Sequence, residues 1–204
     1  MPNNTPEFFS QAPTITVHDE LADFLGSCQD GLITYNYSDA VKLAGHSCPT
    51  VAATYLITRA ALLALYPDSI AERGKLKVEW RDSQKSGVTG VKSQVASLIT
   101  GAAGDNGFSG LSPRFVRRNL LSFDAPIENE VRFTRMDNQQ SVEVSANLES
   151  VPMHPVARAL MPKCLAGQAS HEELKAFGQA WQTRVRTLLL EHADDAQVIR
   201  VVDA

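Results

Sequence analysis

From Pro49 to Tyr66 the chain is apolar almost all the way round, with Val51, Ala52, Tyr55, Leu56, Leu62, Leu63 and Leu65 leaving no polar face. A helix of that kind has to be buried, so this segment is expected to be the central helix of the core. The opposite pattern closes the chain. Ser170 and Glu173 form a capping box, and Leu174, Phe177, Trp181, Val185 and Leu188 then fall on one helical stripe, the mark of an amphipathic helix that needs a partner surface. Between these two lie β-prone runs at Lys75–Arg81, Val131–Met136 and Ser141–Leu148. The last two flank the polar turn Asp137–Gln140 and read as a hairpin. Val198–Val202 is a candidate closing strand.

Shorter elements fill the remainder. A first helix is expected from about Asp19 to Cys28, ahead of Gly31, and a short strand over Leu32–Tyr37. Ser38 is a plausible cap for a short helix that ends at Gly45. A further helix over about Val91–Thr100 runs into the Gly-rich loop Gly101–Phe108. Residues 1–13 are polar and contain proline, as in a loose lead-in or an arm that packs on a partner. The sum is an α+β protein of one domain: an N-terminal arm over 1–13, then a core over 14–204 with a mixed or antiparallel sheet on a long buried central helix and a C-terminal helical extension.

Composition narrows the function without naming it. With 204 residues, 44% of them hydrophobic and 21% charged, the chain can bury one sizeable core. A net charge of −4 and a pI near 5.7 argue against binding nucleic acid or an anionic membrane. The basic cluster Arg114, Arg117 and Arg118 is too small to alter that. No apolar run is long enough to span a bilayer, and the N-terminus lacks a secretory pattern. The cysteines, Cys28, Cys48 and Cys164, are widely spread and form no CxxC pair, which fits free thiols in the cytoplasm.

The stretch that carries chemistry is Gly45-His46-Ser47-Cys48-Pro49-Thr50. Pro49 suits the first helical position, and this puts Cys48 at or beside the N-cap. Unpaired N–H groups and the positive end of the helix dipole would stabilise a thiolate there. His46, in an extended approach eased by Gly45, can turn its ring toward the same space. Thiolate and imidazole at one point suit a borderline-soft metal, or a nucleophile with its base.

These residues, with Val51–Leu65 behind them, resemble the signature of the FmdE family, named for formylmethanofuran dehydrogenase, in which a Gly-His-x-Cys-Pro motif opens a long apolar helix. Leu98-Ile99-Thr100-Gly101 is similar to that family's Thr-Gly segment ahead of a Gly-rich loop. The resemblance covers roughly residues 38–110 and implies an α+β core, a homodimer, and a cleft where His and Cys hold a divalent metal, zinc foremost. The chain departs from the pattern at Ala44, Val91, Gln94 and Ala102, where the family often has His, Cys, an acidic residue and Cys. It also shows no trace of the cysteine-rich C-terminal zinc finger that some members carry.

A catalytic zinc normally has three protein ligands. His18, with Asp19 beside it to orient the ring, is the first choice for the third, and its bland alternative is a surface residue near an N-cap. Asp105 in the Gly-rich loop is a candidate ligand, general base or substrate contact, or else a turn former. Tyr35, Tyr37 and Asp39 lie just upstream. The Gly101–Gly107 loop lacks a P-loop ending and follows a helix, which argues against nucleotide binding. Three readings stay open: a metal-dependent protein that binds or acts on a small molecule through His46 and Cys48, a metal-free enzyme with Cys48 as nucleophile and His46 as base, and a non-catalytic dimeric interaction protein.

Overall fold

The computed structural model describes residues 5–204, and the first four residues of the expected arm lie outside them. The rest of that arm packs on its own chain. A 3-10 turn over Glu7–Gln11 buries Phe9 edge-on against Tyr37, with ring centroids 5.0 Å apart. Next comes a strand that periodicity alone did not reveal, β1 (Ile15–His18), with Ile15 and Val17 inward. Asp19 then caps α1 (Glu20–Phe24), which stops at Phe24 rather than Cys28 because Gly26 takes the left-handed φ of +63°. β2 (Leu32–Tyr35) gives way to α2 (Tyr37–Ala44) earlier than expected. Its cap is Asn36 rather than Ser38, and the Asn36 N–H donates to the Asp39 carboxylate at 3.0 Å.

The apolar segment forms α3 (Pro49–Leu65), in which Val51, Ala52, Tyr55, Leu56 and Ile57 have no exposed surface. Its two inward threonines are kept from being a burden: the Thr54 and Thr58 hydroxyls each donate at 2.9 Å to the carbonyl one turn back. After it come β3 (Ala71–Glu72), β4 (Leu76–Trp80), α4 (Thr89–Thr100), β5 (Leu121–Ser122), β6 (Val131–Arg135) and β7 (Ser141–Ala146). A helix that the sequence concealed, α5 (Pro155–Leu165), carries Pro155 in its first turn and Pro162 in its interior. The capping box opens α6 (His171–Glu191), with Glu173 N–H to Ser170 Oγ at 3.2 Å and Ser170 N–H to Glu173 Oε2 at 2.7 Å. The last strand is β8 (Ile199–Asp203).

These elements make an α+β fold. A three-stranded sheet has the order β2-β1-β3, with β1 antiparallel to β2 and parallel to β3. A five-stranded sheet has the order β5-β4-β6-β7-β8 and is antiparallel except where β4 meets β5. α3 packs against α4, α6 and β7, and one hydrophobic cluster runs from Phe9 through α3 to Ile199. The effect of this layering is to fix the start of α3 between α2 and α6. No helix among the described residues is long and apolar enough to cross a membrane.

Candidate functional site

Gly45, at φ +75° with no atom near its missing Cβ, ends α2 and reverses the chain into the His46–Cys48 turn. Cys48 is the N-cap of α3, and its Sγ accepts from the Val51 N–H at 3.5 Å. The sulfur therefore sits at the positive end of a helix of 17 residues. His46 is exposed, and its Nδ1 lies 3.0 Å from the Ala44 carbonyl. A carbonyl only accepts, so Nδ1 carries the proton and the lone pair is on Nε2. This is the arrangement that ligating histidines use to fix their tautomer.

Ser47, between the two, is gripped on three sides. Its Oγ donates to Gln182 Oε1 at 2.9 Å, Gln182 Nε2 donates to the Ser47 carbonyl at 3.0 Å, and Tyr37 O–H, 3.0 Å away, donates to Ser47 Oγ. Tyr37 is fully buried, and that burial pushes its phenol above the usual range, so it remains a neutral donor. Gln182 comes from α6, 135 residues along the chain. Nothing in the local sequence marks it, although it lies on the helix whose apolar stripe was legible.

The other expected ligands are not gathered here. His18 closes β1, and its Nδ1 lies 2.9 and 3.0 Å from the two Glu72 oxygens across the β1–β3 pairing. The Glu72 hydrogen bond raises the His18 pKa against a smaller effect of burial. Its ring covers Gly31, where a Cβ would come within 2.7 Å of Nε2. Asp105 is exposed at the tip of the Gly-rich loop. Among the described residues no three His, Cys, Asp or Glu side chains are grouped to hold a metal. His18 is hydrogen-bonded to Glu72 across the β1–β3 pairing and Asp105 stands exposed on its loop, and the structure groups neither with His46 and Cys48 into a trio.

Sequence reasoning passed over a buried ionic cluster. Asp19, 3% exposed, caps α1 through the Leu21 and Ala22 N–H groups at 2.9 and 3.2 Å, and also accepts from Arg73 Nη1 at 2.8 Å and Arg117 Nη2 at 2.7 Å. Burial pushes its carboxyl up, but the Arg73 hydrogen bond, the Arg117 charge and the Ala22 N–H together hold it below the ordinary value. Arg73 Nη2 further donates to the Leu98 carbonyl at 3.1 Å, and its side chain lies 3.1 Å from where a Gly101 Cβ would be. Gly101, at φ +72°, ends α4. The Thr100-Gly101 segment thus borders this cluster, and its visible signals are two glycines, Gly74 and Gly101, against which arginines pack.

Fold and site together define an α+β protein with a thiol–imidazole turn at the head of a buried helix. No protein-family model matches the chain, and no curated protein matches it. Sulfur and imidazole nitrogen suit zinc in kind, whereas two protein donors fall short of the three that a catalytic zinc normally has.

Proposed function

We propose that the chain is an FmdE-like protein that binds or acts on a small molecule through His46 and Cys48. The two residues form a two-point attachment for a borderline-soft divalent ion such as zinc. The observation that carries this reading is the His46 Nδ1–Ala44 carbonyl bond beside an N-capping thiol. It leaves one nitrogen lone pair and one sulfur at the same turn, with Ser47 clamped between them. The remaining coordination positions fall to water or to the small molecule. When bound, the ion would supply Lewis-acid polarisation of a carbonyl or of water. The chain's own part is to set the tautomer, hold the sulfur at the helix start and keep the turn rigid. A homodimeric habit and a cytoplasmic setting belong to the same proposal.

Equilibrium dialysis against zinc, followed by metal analysis, tests it on wild type, Cys48→Ser, His46→Gln and His18→Gln. Binding is expected in wild type and His18→Gln and absent in the other two. Equal metal content in wild type and Cys48→Ser would refute it. A second reading, a metal-free nucleophile with His46 as base, is favoured by the same free Nε2 beside a thiol. Alkylation of chelator-treated protein that slows when His46 becomes Gln supports that reading.

A further inference from the structure

Beside the Asp19 cluster runs a groove of about 330 Å³, walled by the turn from β3 into β4 and by the loop 113–117. Arg73, Lys75, Arg114 and Arg117 line it, against the single carboxylate of Glu20. Two carboxylates pair with these four cations, and each is shared by two of them. Asp19 serves Arg73 and Arg117 at 2.8 and 2.7 Å, while Glu20 serves Lys75 at 3.3 Å and also Arg114. Four cations thus face two anions, an excess of two positive charges on a chain whose formal net charge is −4. Such an excess in a recess attracts and focuses anions.

The wall is not relaxed backbone. Phe115 within it holds φ of +64°, flanked outside the wall by Ser112 at +42° and Asn119 at +60°, and Phe115, 6% exposed, is a bulky side chain in a conformation that such residues rarely adopt. Strain of this kind clusters at ligand clamps. Arg114 lies 4.5 Å over the Phe115 ring, which holds the guanidinium in place. Burial, first, and the Arg73 charge both press against the Arg117 cation, and Asp19 opposes them. A further anion would relieve the same repulsion. Phe115, Val116 and Met136 give the groove an apolar side.

We propose that this groove binds a small phosphate-class dianion, either free phosphate or a phosphate monoester whose organic part lies on Phe115, Val116 and Met136. A dianion matches the excess of two charges, and guanidinium forks suit tetrahedral phosphate oxygens. The proposal uses neither His46 nor Cys48 and stands apart from the preceding one.

Isothermal titration of the full chain with inorganic phosphate and with phenyl phosphate, at ionic strength matched by chloride, tests it. One equivalent of either probe is expected to bind. Equal affinities assign free phosphate, and tighter phenyl phosphate assigns a monoester. The double variant Lys75→Gln/Arg114→Gln should weaken binding by about tenfold or more. Both side chains are about half exposed, at 48% and 56%, and Asp19 keeps its two arginines, so the fold survives. Arg158→Gln, beside a separate surface hollow at Leu148 and Arg184, should leave binding unchanged. No binding of either probe by wild type, or undiminished binding by the double variant, would overturn the proposal.

Discussion

Removing the Asp19 side chain should cost a large share of the protein's stability. Asp19→Ala deletes the α1 cap, which is worth about 0.5–2 kcal/mol. It also leaves two guanidiniums facing each other without a counter-charge. Arg117 has only 9% of its side chain exposed and cannot swing out, because its Nη1 fills the space over Gly74 where a Cβ would sit 1.1 Å away. Breaking a buried pair from one side costs about 3–5 kcal/mol. The sum, roughly 4–7 kcal/mol, compares with a typical total stability of about 5–15 kcal/mol. Asp19→Asn keeps an acceptor for the cap and should lose only the ionic part. Urea unfolding followed by circular dichroism measures both variants. A loss below about 1 kcal/mol for Asp19→Ala would overturn this picture, since it would show Arg117 free to find water.

Gln182→Leu removes both amide contacts to Ser47 and should weaken zinc binding about 10–100-fold, the range for outer-shell partners, at a stability cost near 1 kcal/mol. Unchanged affinity in the dialysis experiment would show that the clamp does not position the site. The His18–Glu72 pair, with His18 raised above its ordinary 6.5, should stabilise fully below that value and lose its contribution as pH rises through the higher folded value. Both side chains are partly exposed, at 29% and 41%, so the effect is at most about 0.5 kcal/mol. It appears as a wild-type minus His18→Asn difference in urea midpoint that shrinks with rising pH, and a flat difference would contradict it. Gly74→Ala should cost more than about 3 kcal/mol by displacing Arg117, whereas Gly45→Ala, at a similar φ of +75° but with open space, should cost about 1 kcal/mol. Thermal melts that rank them the other way would count against tight packing of Arg117 over Gly74.

What could be read in the sequence follows from how local each signal is. α3 and α6 announce themselves because their burial patterns are continuous over 17 and 21 residues. β1 and β3 do not, since strands of four and two residues carry almost no periodicity and exist by long-range pairing, β1 with β2 from Ile15 to His18 and β3 with β1 at Val17–Ala71 and His18–Glu72. α5 is hidden by Pro162, an interior residue that reads as a break. His46 and Cys48 are adjacent enough for their motif to stand out. Gln182 and the Asp19 cluster are not: Arg73 and Arg117 reach Asp19 from 54 and 98 residues away. Arg114 and Arg117 look like a minor basic patch until the fold sets Arg73 and Lys75 opposite them.

Whether His46 and Cys48 act as one metal-binding turn can be seen by titrating chelator-treated protein with cobalt(II) and following absorption. An intense sulfur-to-cobalt charge-transfer band is expected, one that saturates, vanishes in Cys48→Ser and changes position in His46→Gln. A wild-type protein that shows no such band, or a band that Cys48→Ser retains, would contradict the proposed metal turn.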